Sequence, residues 1–141
     1  MLDVLEHLEE PEPALRHAVQ LLAPGGVLLV TVPAYQWLWT RHDVINRHVR
    51  RYDRQSIRAL AGAAGLEITR ERFLFQGLVP AKLLVRMLER LIPGEPKLPE
   101  IPAGPVNSAL RAVTRAEQAI NAIVPMPFGS SLLVTGRRLR G

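Results

Sequence analysis

An α/β fold, with helices packed on a largely parallel sheet, is what this 141-residue sequence predicts, and three observations predict it. Val27 to Val32 is a continuous apolar run broken only by Thr31, the pattern of a strand covered on both faces. Ahead of it, Leu15, Ala18, Val19 and Leu22 fall at i, i+3, i+4 and i+7, which is one apolar helical face. At the start, Met1–Leu5 reads as the end of a further strand. Strand, helix and strand within about thirty residues make a βαβ unit with a right-handed crossover.

The remaining elements follow from local signals. Pro11 and Pro13 suit the first turn of the first helix, because proline's fixed φ is already helical there. Pro24-Gly25-Gly26 stops that helix and admits the strand at Gly26–Val32. Residues 33–52 form a loop rich in aromatic, His and Arg side chains. Asp53 is an N-cap for a helix with Ile57, Leu60, Ala61 and Ala64 on one face, and Gly65 ends it. Leu66 to Phe75 is a strand whose alternation slips in phase near Arg70–Arg72. Leu78 to Ile92 is a basic, amphipathic helix, with Leu84, Met87, Leu88 and Leu91 expected to face the core.

Pro93, Pro96, Pro99, Pro102 and Pro105 then recur every third residue, the polyproline II period, and predict an extended strap. Asn107 caps a last helix to about Ile123, and Ser131 to Leu139 is the final strand. The organisation read from these elements is a core at 1–75, a helical insertion with its strap at 76–128, and a closing core strand at 129–141.

Hydrophobic content of 48% and charged content of 22% are those of an ordinary globular domain. Cys is absent, which removes disulfides, thiolate metal sites and cysteine nucleophiles. The first twelve residues are acidic where a signal peptide would be basic and then apolar, so a cytoplasmic location is expected. Residues 1–40 carry one Arg against five acids, giving −4, and residues 41–141 carry 17 basic against eight acidic groups, giving +9. Sixteen of the eighteen basic residues are Arg, a bias that base composition of the gene can produce, so nucleic acid is not the expected partner.

Three motifs in order carry a family likeness. Asp3-Val4-Leu5-Glu6-His7-Leu8, then Leu22-Ala23-Pro24-Gly25-Gly26, then Leu28-Leu29-Val30-Thr31-Val32-Pro33 resemble the class I S-adenosylmethionine-dependent methyltransferases. The branch is the small-molecule type with a D/E-x-x-E-H strand end. The stretch of His42-Asp43, His48 and Arg50-Arg51-Tyr52, with a helix ending Ala63-Ala64-Gly65-Leu66, is also similar to one branch of it. The resemblance implies a Rossmann-like methyltransferase sheet of seven strands, the last antiparallel. Met1–Leu5, Gly26–Val32, Leu66–Phe75 and Ser131–Leu139 would be strands four to seven. The sheet is therefore expected to be incomplete: the family's Gly-rich loop after strand one and the acid ending strand two are not in this sequence. On that reading the full-length enzyme methylates, and this chain alone binds cofactor poorly and is inactive. The alternative is a non-catalytic truncated domain that acts by association with a partner chain.

By the same resemblance, Asp3 and Val4 lie near the cofactor, S-adenosyl-L-methionine, and Glu6 and His7 face the acceptor. His7 suits the role of general base, with an unperturbed pKa of about 6.5, and Glu6 could orient it. Capping of the next helix is the plainer role for both. Tyr35, Trp39, His42, Asp43, His48 and Arg51 are assigned to the acceptor, with Trp37 adding to an aromatic wall. His42, Asp43 and His48 are metal-competent types, but the second His follows the first by six residues and no third lies nearby, so no metal site is assigned. Arg47, Arg50 or Arg51, Arg54 and Arg58 would form one basic stripe if helical, which is a solvated face, a grip on an anionic acceptor, or a surface for nucleic acid or an anionic membrane. The expected acceptor is a small molecule, lipidic or anionic. Peripheral membrane contact and self-association through an exposed sheet edge are the partner modes left open.

Overall fold

In a computed structural model, which describes residues 1–92, 104–124 and 126–138, three strands make one sheet in the order β1-β3-β2. These are β1 (Val27–Pro33), β2 (Leu66–Leu74) and β3 (Ser131–Arg138). The central strand β3 is antiparallel to both neighbours, so β1 and β2 run in the same direction. Met1–Leu5 is not a strand. Only Leu2 bridges to Thr31, in parallel, with Asp3 N–H to Thr31 O at 3.1 Å and Thr31 N–H to Met1 O at 3.0 Å. Asp3 then turns to φ 50°, and Leu5–His7 is a single 3₁₀ turn.

Helices α1 (Pro11–Gln20) and α3 (Arg54–Ala63) cover one face of the sheet. Leu15 and Val19 of α1 and Ile57 and Ala61 of α3 meet Val30, Val32, Phe73, Leu132 and Val134 in one cluster. Coverage on both faces, expected of Val27–Val32, is not what the fold provides: Val27 and Leu29 are exposed while Val30 and Val32 are buried. β1 is an edge strand beyond which lies only the Leu2 bridge among the described residues. The phase slip read in the sequence is a β-bulge, with register shifting between Ile68 and Arg70.

Asp53 caps α3 through a box with Ser56: the Ser56 amide donates to Asp53 Oδ1 at 2.7 Å and the Asp53 amide to Ser56 Oγ at 2.9 Å. Gly65 follows at φ 77°, the left-handed position that favours glycine. The loop 33–52 holds structure that its composition concealed, a 3₁₀ turn at Gln36–Leu38 and the short helix α2 (Arg41–Ile45). Two longer helices, α4 (Leu78–Leu91) and α5 (Gly104–Ile123), arise from the end of the sheet where Leu74 pairs with Ser131. Helix α5 begins at Gly104 and not at the expected Asn107 cap. The rest of the proline strap, like residues 139–141, lies outside the described residues. Among those described, no helix is long and apolar enough to cross a membrane.

The basic stripe does not form, because residues 46–53 are not helical. Arg47 takes φ 55°, Arg50 donates to Glu9 O at 2.7 Å, and Arg54 and Arg58 turn to Glu71.

At Gly136, in mid-sheet, neighbouring backbone and side chain crowd closely. A Cβ there would sit 2.7 Å from Leu66 Cγ and 2.8 Å from Glu67 O. Gly136→Ala is expected to destabilise the chain by about 1–3 kcal/mol, the usual cost of overpacking, measured by denaturant unfolding.

Candidate functional site

A cavity of about 380 Å³ opens where the 3₁₀ turn Leu5–His7, the carboxyl end of β1, the α2 loop and α4 converge. Asp3, Glu6 and His7 line one side, His42, Asn46, His48 and Arg51 another, and Pro33, Lys82, Ser130 and Ser131 complete it. Ligands in open α/β sheets sit beyond the carboxyl ends of strands, and this cavity has that position relative to β1.

Asp43 organises the loop wall. Thr40 caps α2, donating its amide to Asp43 Oδ2 at 2.9 Å. The Arg51 guanidinium forks onto the same carboxylate, Nε to Oδ1 at 2.9 Å and Nη2 to Oδ2 at 3.0 Å, and gives Nη1 to Ala34 O at 2.9 Å. His48 Nδ1 lies 2.8 Å from Asp43 Oδ1. Arg51 and Asp43 are both buried, so this is an interior ion pair with its lone pairs used. Burial alone would raise the Asp43 carboxyl. The Thr40 amide, the Arg51 charge and the His48 and Arg51 hydrogen bonds outweigh it and hold the group below its ordinary 3.8.

The loop is tied to the turn beneath it. Val49 N–H donates to Glu6 O at 2.7 Å, and the Tyr52 hydroxyl donates to Leu5 O at 3.1 Å. Burial pushes the Tyr52 phenol up to about 12, so it stays a donor across the physiological range. Asp3, Tyr35 and Arg47 all hold positive φ around this site, at 50°, 58° and 55°, conformations that persist only where surrounding contacts impose them.

The Glu6 carboxylate stands apart from this satisfied network. Its side chain is 1% exposed, and neither carboxylate oxygen has a hydrogen-bond partner among the described residues. Burial raises its carboxyl above 4.5, and the Asp3 charge adds to that, against the pull of its own amide, His7 and Arg51. The His7 ring meets the His48 ring edge-on at 4.8 Å. Burial, first of all, lowers the His48 imidazole below 6.5, despite the Asp43 hydrogen bond and charge. With Nδ1 engaged by Asp43, the neutral His48 ring has Nε2 available on its other side.

Ligand atoms of Glu6, His7 and His48 lie within 4.8 Å of one another, a mixed carboxylate and imidazole set that suits a divalent cation. The sequence reading missed this trio because His48 stands 41 residues from His7, and no linear spacing rule joins them. Lys82, Asn46 and the two serines were also missed. Lys82 sits on a helix whose apolar side drew the attention, and its ammonium is lowered from 10.5 chiefly by burial, then by the Arg51 charge.

Of the residues assigned from the sequence, Asp3, Glu6, His7, His42, His48 and Arg51 line the cavity, whereas Val4, Tyr35, Trp39 and Asp43 do not. Asp43 lies beneath it as the support. Tyr35 turns to the sheet, stacked on Phe73 at 5.3 Å and on Trp37 at 5.2 Å, so the aromatic wall braces the loop and does not face the cavity. The Arg51 fork is consumed by Asp43, which leaves Lys82 as the cavity's other cation.

The sequence model of the methyltransferase-domain family matches residues 1–71, half of the chain. The chain belongs to that family. A solved structure of similar fold is the complex between the Haloferax volcanii Trm112 methyltransferase activator and a methyltransferase, with a TM-score of 0.51 at 15% identity. The match covers 99% of this chain and 52% of that one, so the chain spans about half its relative's length. Haemonchus contortus phosphoethanolamine N-methyltransferase 2, solved with S-adenosyl-L-methionine, matches at a TM-score of 0.48 and 12% identity, over 99% of this chain and 32% of its own. The incomplete Rossmann-like methyltransferase sheet is thus the correct fold class, with β1, β2 and the antiparallel β3 as its described strands.

Two outcomes follow from the opposed carboxylates. Glu6→Gln is expected to stabilise the fold by about 1–3 kcal/mol at pH 7, since it removes a buried charge without a partner, as read by thermal melts. Acid should destabilise the wild type in two steps. His48 has a lowered folded pKa, so stability falls as pH drops below its unfolded value of 6.5. Asp43 is also lowered, so its contribution is full above its unfolded value of 3.8 and is lost as pH falls from there through its folded value. His48→Gln should remove the first step alone and Asp43→Asn the second, in denaturation midpoints measured from pH 8 to 2.

Proposed function

We propose that this chain forms the acceptor side of an S-adenosylmethionine-dependent methyltransferase active site, with Glu6 and His7 as its catalytic pair. The observation that carries the reading is the Glu6 carboxylate, buried and without a partner at the mouth of a cavity in a methyltransferase-domain fold. Natural folds retain so costly an arrangement chiefly at sites of chemistry.

S-adenosylmethionine supplies an electrophilic methyl on a cationic sulfonium. The lining fits such a group, because Asp3 and Glu6 place carboxylates on the cavity wall where a positive charge would be matched. Among the described residues no glycine-rich turn follows a strand, since Gly25 precedes β1 and Gly65 precedes β2. The described chain therefore contributes only part of a cofactor cradle.

His7 takes the acceptor proton as the nucleophile forms. Glu6 holds the resulting imidazolium, a charge that a water-excluded carboxylate stabilises more than an exposed one does. His48, kept neutral and oriented by Asp43, borders the His7 ring and restricts its rotation. Lys82 gives the cavity a cation for an anionic group on the acceptor, and the Ser130 and Ser131 hydroxyls add hydrogen bonds. The reaction takes place in the cytoplasm.

The test uses the longest natural form of the chain. His7→Ala should lower kcat by about a hundredfold or more, the range of a lost general base, while calorimetric affinity for S-adenosylmethionine holds. Lys82→Met should raise KM with kcat little changed. Equal loss of turnover and cofactor affinity in His7→Ala would remove it as a base.

A further inference from the structure

Helix α4 is amphipathic in the wrong sense for a core helix. Its polar residues face the protein: Lys82 lines the cavity, Arg86 donates to Trp37 O, and Glu89 accepts from the Arg41 amide at 3.1 Å through both carboxylate oxygens. Arg41 returns the contact, donating to Glu89 O at 2.9 Å and Ile92 O at 2.8 Å. The apolar residues point away, with Leu84 59%, Met87 62% and Leu91 75% exposed. The expectation that this face is core is therefore overturned.

Helix α5 is anchored differently, from within its apolar stripe: Val113, Glu117 and Ile120 share one face and line a cleft with Gly77 and Met126. Glu117 accepts from the Gln76 and Gly77 amides, and Asn121 donates to Phe73 O at 2.6 Å, so its polar groups make the anchor. Val106, Leu110, Val113, Ile120 and Ile123 are exposed. Both helices root at one end of the sheet, and α4 borders the cavity.

The charges on this surface decide what covers it. The only acids on the two helices, Glu89 and Glu117, are turned inward, and the exposed charges Arg90, Arg111 and Arg115 are all positive. A second copy of the chain would set arginine against arginine across the contact, which disfavours self-pairing. Nucleic acid would match the charge but leave the leucines in water. An anionic bilayer surface matches both, since its headgroups take the arginines and its acyl boundary takes the apolar faces. Trp37, exposed beside α4, is the residue type that sits at such a boundary.

We infer that α4 and α5 form a docking surface for anionic lipid membranes, on which the chain lies without spanning. This inference does not depend on methyl transfer, and it is read without turnover. It would bring the Lys82 side of the cavity to the bilayer, where an acceptor with a lipid chain and an anionic head would be found.

The test is co-sedimentation of the chain with vesicles of phosphatidylcholine and phosphatidylglycerol, against vesicles of phosphatidylcholine alone. The chain should pellet with the anionic vesicles only, and raised salt should release it. Joint substitution Arg90→Gln, Arg111→Gln and Arg115→Gln should weaken partitioning on the order of a hundredfold. Leu84→Ser with Leu88→Ser should abolish it, with circular dichroism unchanged because both side chains are exposed. Trp37 fluorescence in the wild type should be quenched by brominated lipid. Retention of the wild type in the supernatant with anionic vesicles, or equal binding to neutral ones, would overturn the inference. So would a dimer that the leucine substitutions split in sedimentation velocity.

Discussion

The Asp43 carboxylate is the constraint on which the rest of the site depends. The α2 loop buries Ala34, Leu38 and Tyr52, and a single buried anion fixes the polar remainder. It accepts from the Thr40 amide, from two nitrogens of Arg51 and from His48, and Arg51 then reaches Ala34 O at the end of β1. Taking a carboxylate and a guanidinium out of water costs several kcal/mol each, roughly, and only this number of well-formed hydrogen bonds offsets it. Because the same carboxylate serves Thr40, Arg51 and His48, it ties three parts of the loop to one point. So tied, the loop sets His48 against His7 and lays Val49 on Glu6 O.

Two buried carboxylates, close together in the fold, are thereby driven in opposite directions. Asp43 is over-supplied with donors and held anionic at any physiological pH, whereas Glu6 is buried without a partner among the described residues and is raised. Environments that separate the pKa values of paired acids in this way are how one site acquires a fixed anion and a poised one. The structural carboxylate supports the loop, and the unpartnered one keeps its capacity for whatever enters the cavity. The stability that the first provides is what makes the second tolerable.

Much of this was legible in the sequence wherever the cause was local. The Asp53 cap, the Gly65 terminator and the phase slip that became the Ile68–Arg70 bulge all depend on neighbours a few residues away. Glu6 and His7 of the opening heptad line the cavity, but the heptad is not the strand its pattern suggests, because Asp3 turns out of the extended region once Leu2 has bridged to Thr31. The union of His48 with His7 was not legible, since it depends on the Arg47 turn and on a carboxylate clamp. Periodicity showed which side of α4 is apolar, but not which way that side points. That direction is set by Glu89 and Arg41, which pair across 48 residues of chain.

The central claim is that the fold keeps Glu6 buried, raised and without a partner among the described residues, while Asp43 accepts from Thr40, Arg51 and His48. A titration of the Glu6 side-chain carboxyl by ¹³C NMR tests it most directly. The account predicts a midpoint above the ordinary 4.5 in the wild type, returning toward 4.5 in Asp43→Asn as the loop opens and water reaches the turn. A Glu6 midpoint at or below 4.5 in the wild type would contradict it, because the carboxylate would then have a partner or solvent that this structure does not give it.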